Sequence, residues 1–131
     1  MTTPSSAANS SHLPDVSVIL PILNEELYLR DSITSILSQD YLGKFEVILA
    51  VGPSHDRTLE IARDLAREDT RVVVIENPTG RTAAGLNLAL AASVSEYVIR
   101  VDGHSEIPRN YISLAIEILQ RTGAVNVGGD R

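Results

Sequence analysis

Cysteine and tryptophan are absent from this 131-residue chain, and only one phenylalanine, four tyrosines and one methionine occur. Without cysteine no disulfide framework exists, and a reducing compartment is permitted. With aromatics at 4%, the core must be built from aliphatic side chains. Long apolar runs are also missing. The longest, Val16 to Leu23, is interrupted by Pro21 and falls well short of the roughly 20 residues that a bilayer-crossing helix needs. Positive charge is scarce: 11 Lys and Arg face 17 Asp and Glu, a net charge of −6. That excludes a general nucleic-acid binder, which requires a basic face. An acidic protein that handles a negative ligand needs local help from a metal, helix N-termini or a few placed arginines.

What is present is ordinary globular composition, 44% hydrophobic and 21% charged, long enough for one domain with a real core. Residues 1–14 carry no Lys or Arg and no apolar segment of the kind a signal peptide has. Their Ser, Thr, Asn, Ala and Pro predict a disordered leader, which leaves one α/β domain over 15–131. From Asp15 onward strand and helix patterns alternate. Val16 to Leu20, Phe45 to Val51, Arg71 to Ile75 and Glu96 to Val101 are short runs rich in Val and Ile, the mark of buried strands. Val125 opens a fifth.

Between the strands lie amphipathic helices. Leu29, Ile33, Ile36 and Leu37 form one stripe. Leu59, Ala62, Leu65 and Ala66 form a second, and Ala83, Leu86, Ala89 and Leu90 a third. Tyr111, Leu114, Ala115, Ile118 and Leu119 form the last. Asn24 is the expected cap of the first helix, with Glu25 and Glu26 in its first turn, and Thr82 that of the third. Pro108 suits the first turn of the fourth and Gly123 the position just past its end. The pattern predicts a Rossmann-like α/β fold, a mostly parallel sheet with helices on both faces. No internal repeat is visible.

In such folds ligands bind beyond the carboxyl ends of the strands, and the polar residues of this chain cluster there. Asn24 and Glu25 follow the first strand, Ser54 and Asp56 the second, Asn77 to Arg81 the third. The fourth stops at Asp102-Gly103-His104, where Gly103 lets the backbone turn sharply. A carboxylate and an imidazole at i and i+2, held at the mouth of a rigid sheet, can hold a divalent metal or contact a phosphate-bearing ligand.

This ordered series resembles glycosyltransferase family 2, whose members have the GT-A fold. Pro21-Ile22-Leu23-Asn24-Glu25-Glu26 is similar to its P-x-x-N-E-E opening, and Ser54-His55-Asp56-Arg57-Thr58 to its S-x-D-x-T turn. Gly85-Leu86-Asn87-Leu88-Ala89 looks like the Asn-bearing helix before the metal strand. Arg100-Val101-Asp102-Gly103-His104 looks like the metal-binding D-x-D with His in the last place. That form, with Pro108, Tyr111 and Val127-Gly128-Gly129, is most similar to the succinoglycan and exopolysaccharide branch.

The resemblance implies the donor-binding half of an inverting enzyme that takes a sugar from a nucleotide diphosphate. Asn24, Glu25, Ser54, Asp56, Arg81 and Asp102 would contact the donor, and Asp102 and His104 would hold Mn²⁺ or Mg²⁺. It implies a glycan or lipid-linked acceptor, and work in the cytoplasm or at the inner face of the cell membrane. The general base would lie beyond Arg131. The sequence departs from the family at Val51-Gly52, where two acids usually stand, so a carboxylate for reading the base is missing.

Each residue also has a plain structural role open to it. Asp102 can simply end a strand. Asn24 and Glu25 can start a helix and Asp56 and Thr58 can shape one. Arg81, His12, His55 and His104 can be solvated surface groups. Arg100 sits inside an apolar strand and needs a partner, with Asp102 or Glu106 in reach. Two other functions stay open: a degenerate module that binds a nucleotide or a partner without transfer, and a nucleotidyltransferase. The latter is disfavoured because no glycine-rich basic loop follows the first strand. A last strand with an open apolar edge predicts self-association.

Overall fold

The computed structural model describes residues 13–123 and 126–127. Five strands and four helices alternate: β1 Val16–Ile22, α1 Leu29–Leu37, β2 Phe45–Val51, α2 Thr58–Glu68, β3 Val72–Glu76, α3 Thr82–Ala92, β4 Tyr97–Arg100, α4 Tyr111–Thr122 and β5 Asn126–Val127. All ladders are parallel, and the sheet order is β3-β2-β1-β4-β5. β1 is therefore central. Its seven residues are almost wholly buried, which is why they read as a continuous apolar run rather than an alternating one.

The two faces of the sheet are unequal. Val16, Val18, Leu20 and Ile22 of β1 share one core with Val47 and Leu49 of β2 and with α1, α2 and α4. On the other face, among the described residues, α3 covers Ile19, Ile48 and Ala50 through Ala89 and the half-buried Leu86. The chain reverses its direction across the sheet between β3 and β4, and a right-handed crossover then places its helix on the opposite face.

Several helix expectations shift. α1 begins at Leu29 with no side-chain cap. Asn24 does not cap it, because Asn24 lies in the left-handed region at φ 51°, a conformation that Asn tolerates better than most residues. α3 starts at Thr82 after Arg81, again without a side-chain cap. Ala83 and Leu90 of α3 are exposed rather than inward. In α4 the buried stripe is Ile112, Ala115, Ile116 and Leu119, and Leu114 and Ile118 face solvent. Pro108 precedes this helix, its carbonyl accepting from Tyr111 N. The expected left-handed glycine past its end is found, Gly123 at φ 80°. β3 is an edge strand with one side half open, Val73 among its exposed residues.

At the amino end, Leu13 packs against the main core and the Tyr41 hydroxyl donates to the Pro14 carbonyl at 2.5 Å. Leu13 and Pro14 thus take part in the packing of the domain. The rest of the expected leader, residues 1–12, and Val125 lie outside the described residues.

Candidate functional site

The order β3-β2-β1-β4 puts the reversal point between β1 and β4. The loops that leave their carboxyl ends open a crevice there. β1 delivers Asn24 and Glu25 to it, and β4 delivers Asp102, Gly103 and His104. His104 Nδ1 lies 3.2 Å from Glu25 Oε2. The Glu25 side chain is largely covered, whereas His104 is 60% exposed. Two residues 79 positions apart in the sequence therefore meet in one carboxylate–imidazole pair. Asp102 is half-exposed, with Arg100 Nη2 3.8 Å from its Oδ1. Asp102 is thus a partner of Arg100, as expected.

Gly103 has a different reason for being glycine than a sharp turn. Its φ is not among the positive values of the described residues. A Cβ there would collide with Ile22 Cδ1 and come within 3.4 Å of Glu25 Cγ. The glycine lets the β4 turn pack closely on Ile22 of β1, next to the place where His104 meets Glu25.

The β4–α4 segment is held from below by α1. Ser32, fully buried on the inner face of α1, donates its hydroxyl to Ser105 O at 2.6 Å. Ile107 N donates to Ser35 Oγ at 3.1 Å. Gln39 accepts from Ile112 N at 2.8 Å and donates to Pro108 O at 2.5 Å. Sequence reasoning missed these residues. The available signal was a serine, Ser32, inside an otherwise apolar helical stripe.

The β1–α1 and β2–α2 loops are stitched together. Asn24 N donates to Ser54 Oγ at 3.0 Å, and His55 N donates to Asn24 Oδ1 at 2.8 Å. Glu25 N donates to Thr58 Oγ1 at 2.8 Å, and Thr58 Oγ1 donates to Asp56 Oδ1. Asp56 also accepts from Thr58 N at 3.0 Å and, through Oδ2, from Glu26 N at 3.2 Å. The Thr58 hydroxyl, with backbone amides in support, holds the Asp56 carboxyl below the usual carboxylate range. Asn24, Ser54 and Asp56, three of the six expected donor contacts, are thus engaged with the protein itself.

Arg81 is exposed at the amino end of α3. Its N–H donates to Thr79 Oγ1 at 3.1 Å, and its carbonyl accepts from the buried Asn77 amide at 2.9 Å. Arg81, Gly80 and Asn77 line a cleft of about 40 Å³ with Pro21, Ile22 and Leu23. A second cavity of about 190 Å³ lies between Pro53, Ser54, Leu59, Glu76 and Pro78. Between them, Gly52 approaches the Gly80 backbone so closely that a Cβ would lie 3.0 Å from Gly80 Cα. A side chain at position 52 would therefore need the Gly80 backbone and Leu23 to give way by a few tenths of an ångström.

Asp102 and His104 are the candidate metal ligands, with Glu25 beside them. Among the described residues no three His, Asp or Glu groups form a cation cage. A hard divalent ion that takes one or two carboxylates and completes its shell with phosphate oxygens and water needs none. The donor set fits that use. No helix of the described residues is long and apolar enough to cross a membrane.

The model for glycosyl transferase family 2 matches residues 17–131. The succinoglycan biosynthesis protein ExoA of Rhizobium meliloti is 36% identical over 112 residues, which is 84% of this chain and 34% of that protein. Among solved structures, Staphylococcus aureus TarS 1–349 in complex with UDP-GlcNAc superposes with a TM-score of 0.69 at 28% identity. That match covers 82% of this chain and 31% of TarS. The mannosyltransferase PcManGT of Pyrobaculum calidifontis, in complex with GDP-Man and Mn²⁺, gives a TM-score of 0.71 at 26% identity over 84% of this chain and 33% of that one. The chain thus spans about a third of the length of these relatives.

Proposed function

The chain belongs to glycosyl transferase family 2, and from that premise we propose that it forms the nucleotide-sugar and metal-binding part of an inverting glycosyltransferase of exopolysaccharide or cell-surface glycan synthesis. One observation carries this reading. Glu25 meets His104 at 3.2 Å, in the turn that opens with Asp102, at the reversal point of the sheet, where α/β folds bind their ligands.

In sugar transfer from such a donor, negative charge grows on a phosphate oxygen of the leaving nucleoside diphosphate. A divalent cation, Mn²⁺ or Mg²⁺, supplies Lewis-acid stabilisation of that charge when bound. Asp102 would be its carboxylate ligand. His104 would offer a ring nitrogen, which suits Mn²⁺ better than Mg²⁺, and Glu25 orients that ring through Nδ1. Arg81, exposed beside the amino end of α3, would meet the diphosphate, because helix N-termini favour anions. Transfer also needs a general base toward the acceptor, and none of these residues is assigned to that role. A glycan or lipid-linked acceptor, a site of action at the inner face of the membrane, and self-association belong to this reading of the whole protein.

Binding without transfer is the second reading. The closed position at Gly52 favours it, because no carboxylate stands there to read a base. Calorimetric titration of this chain with UDP- and GDP-sugars, with and without Mn²⁺, tests the donor site. The expected result is metal-dependent binding that Asp102→Ala weakens by more than about tenfold. If neither donor binds the unmutated chain, or if Asp102→Ala binds as tightly, the donor-site reading fails.

A further inference from the structure

Five hydrogen bonds run between residues 24–26 and residues 54–58. The central one belongs to a relay. Glu25 N donates to Thr58 Oγ1, and the Thr58 hydroxyl passes its own proton toward Asp56 Oδ1. A hydroxyl has one proton to give, so this polarity is fixed once Glu25 N is the donor on the other side. Each bond in such a chain strengthens the next.

Asp56 closes the clamp with its second oxygen on Glu26 N at 3.2 Å. The residue pinned between these two amides is Glu25, whose carboxylate meets His104 at 3.2 Å. Three donors already occupy the Asp56 carboxylate, out of about four acceptor positions. Thr58 is fully buried and cannot reach any ligand.

We propose that Asp56 and Thr58 are positioning residues that fix the Glu25 backbone, and through it the Glu25–His104 pair, and that neither touches the nucleotide. The proposal rests on the donor-site reading for its ligand but not for its geometry. It reassigns the acid of the Ser54–Thr58 turn from a donor contact to a strut between two loops. It also gives Thr58 a reason to be threonine. Valine fills the same volume but breaks both bonds of the relay, whereas serine keeps both.

The test pairs binding with a probe of the site itself. Thr58→Val, Thr58→Ser, Asp56→Ala and Asp56→Asn are titrated with UDP-sugar or GDP-sugar in Mn²⁺, and with UMP or GMP without metal. The His104 ring signals are followed by NMR in each variant without ligand. Thr58→Val and Asp56→Ala are expected to shift the His104 signals alike and to weaken Mn²⁺-dependent donor binding to the same degree. Thr58→Ser is expected to match the unmutated chain in both, and monophosphate affinity to stay unchanged throughout.

Asp56→Asn keeps the acceptor for Thr58 and loses only the bond from Glu26 N. It is expected to fall between, and it serves if Thr58→Val does not fold. Weaker monophosphate binding in Asp56→Ala with normal binding in Thr58→Val would make Asp56 a nucleotide contact and overturn the proposal. Unmoved His104 signals in both Asp56 variants would overturn it as well. If the unmutated chain binds no donor, the functional reading fails, while the NMR comparison still decides the positioning role.

Discussion

Replacing Gly103 by alanine tests how the β4 turn is seated against β1. The added Cβ would collide with Ile22 Cδ1, and Ile22 is buried in the main core at the end of the central strand. The backbone of Gly103 is not in the left-handed region, so the cost is steric and not conformational. Overpacking of this kind costs about 1–3 kcal/mol. With a urea m-value of about 1.5 kcal/mol/M, the midpoint should fall by roughly 0.7–2 M.

The structure also names the cure. Ile22→Val deletes the colliding methyl group at a cost of about 0.5–1.5 kcal/mol by itself. The double variant should then be no less stable than Ile22→Val alone, which is a favourable coupling of about 1–3 kcal/mol in the cycle, the whole cost of Gly103→Ala. Urea denaturation followed by circular dichroism reads all four proteins. Additive losses, or an unchanged midpoint in Gly103→Ala, would refute the steric account and leave the glycine to be explained by ligand approach.

Three further outcomes can be checked. Asn24→Gly keeps the left-handed backbone at φ 51° and loses only the bond from His55 N, whereas Asn24→Ala loses both. Thermal unfolding should therefore rank them unmutated, Gly, Ala, with the last step about 1 kcal/mol. Ser32→Ala removes the donor to Ser105 O and leaves that carbonyl short of a partner, so chemical denaturation should show a loss of about 1–3 kcal/mol. Burial first, then the nearby Asp15 and Glu96 carboxylates, push the Tyr41 hydroxyl up to about 12. A raised folded value means that its contribution to stability is complete below the ordinary value of 10.0 and disappears as pH rises toward about 12. Tyr41→Phe should flatten the alkaline limb of the stability profile in that window.

The strands and their parallel order were legible in the sequence because Val and Ile runs of strand length can be buried on both faces only in such a sheet. The gathering of Asn24, Glu25, Asp102 and His104 beyond the carboxyl ends of β1 and β4 followed from the same fact. What was not legible was which polar atoms are free. Asn24 and Asp56 carry the chemistry of ligand contacts, and only the three-dimensional meeting of two loops shows that each accepts from a backbone amide of the opposite loop, His55 N and Glu26 N. The α4 stripe was misread because Leu114 and Ile118 also recur at helical spacing, and the neighbouring stripe through Ile112 and Ile116 is the one that faces the sheet. The role of Gly103 was hidden for a similar reason: the atom it avoids, Ile22 Cδ1, is supplied by a strand 81 positions earlier in the chain, 103 less 22.

The approach of Gly52 to Gly80 limits how this chain can change. Restoring an acid at position 52 is not one substitution, because the Gly80 backbone stands 3.0 Å from where its Cβ would be. The β3–α3 turn would have to yield by a few tenths of an ångström, and Gly80, at φ 70°, is itself hard to replace. The two glycines are therefore epistatic. A laboratory selection for a new base preference that randomises position 52 alone should return glycine, and one that also varies residues 79–81 should not.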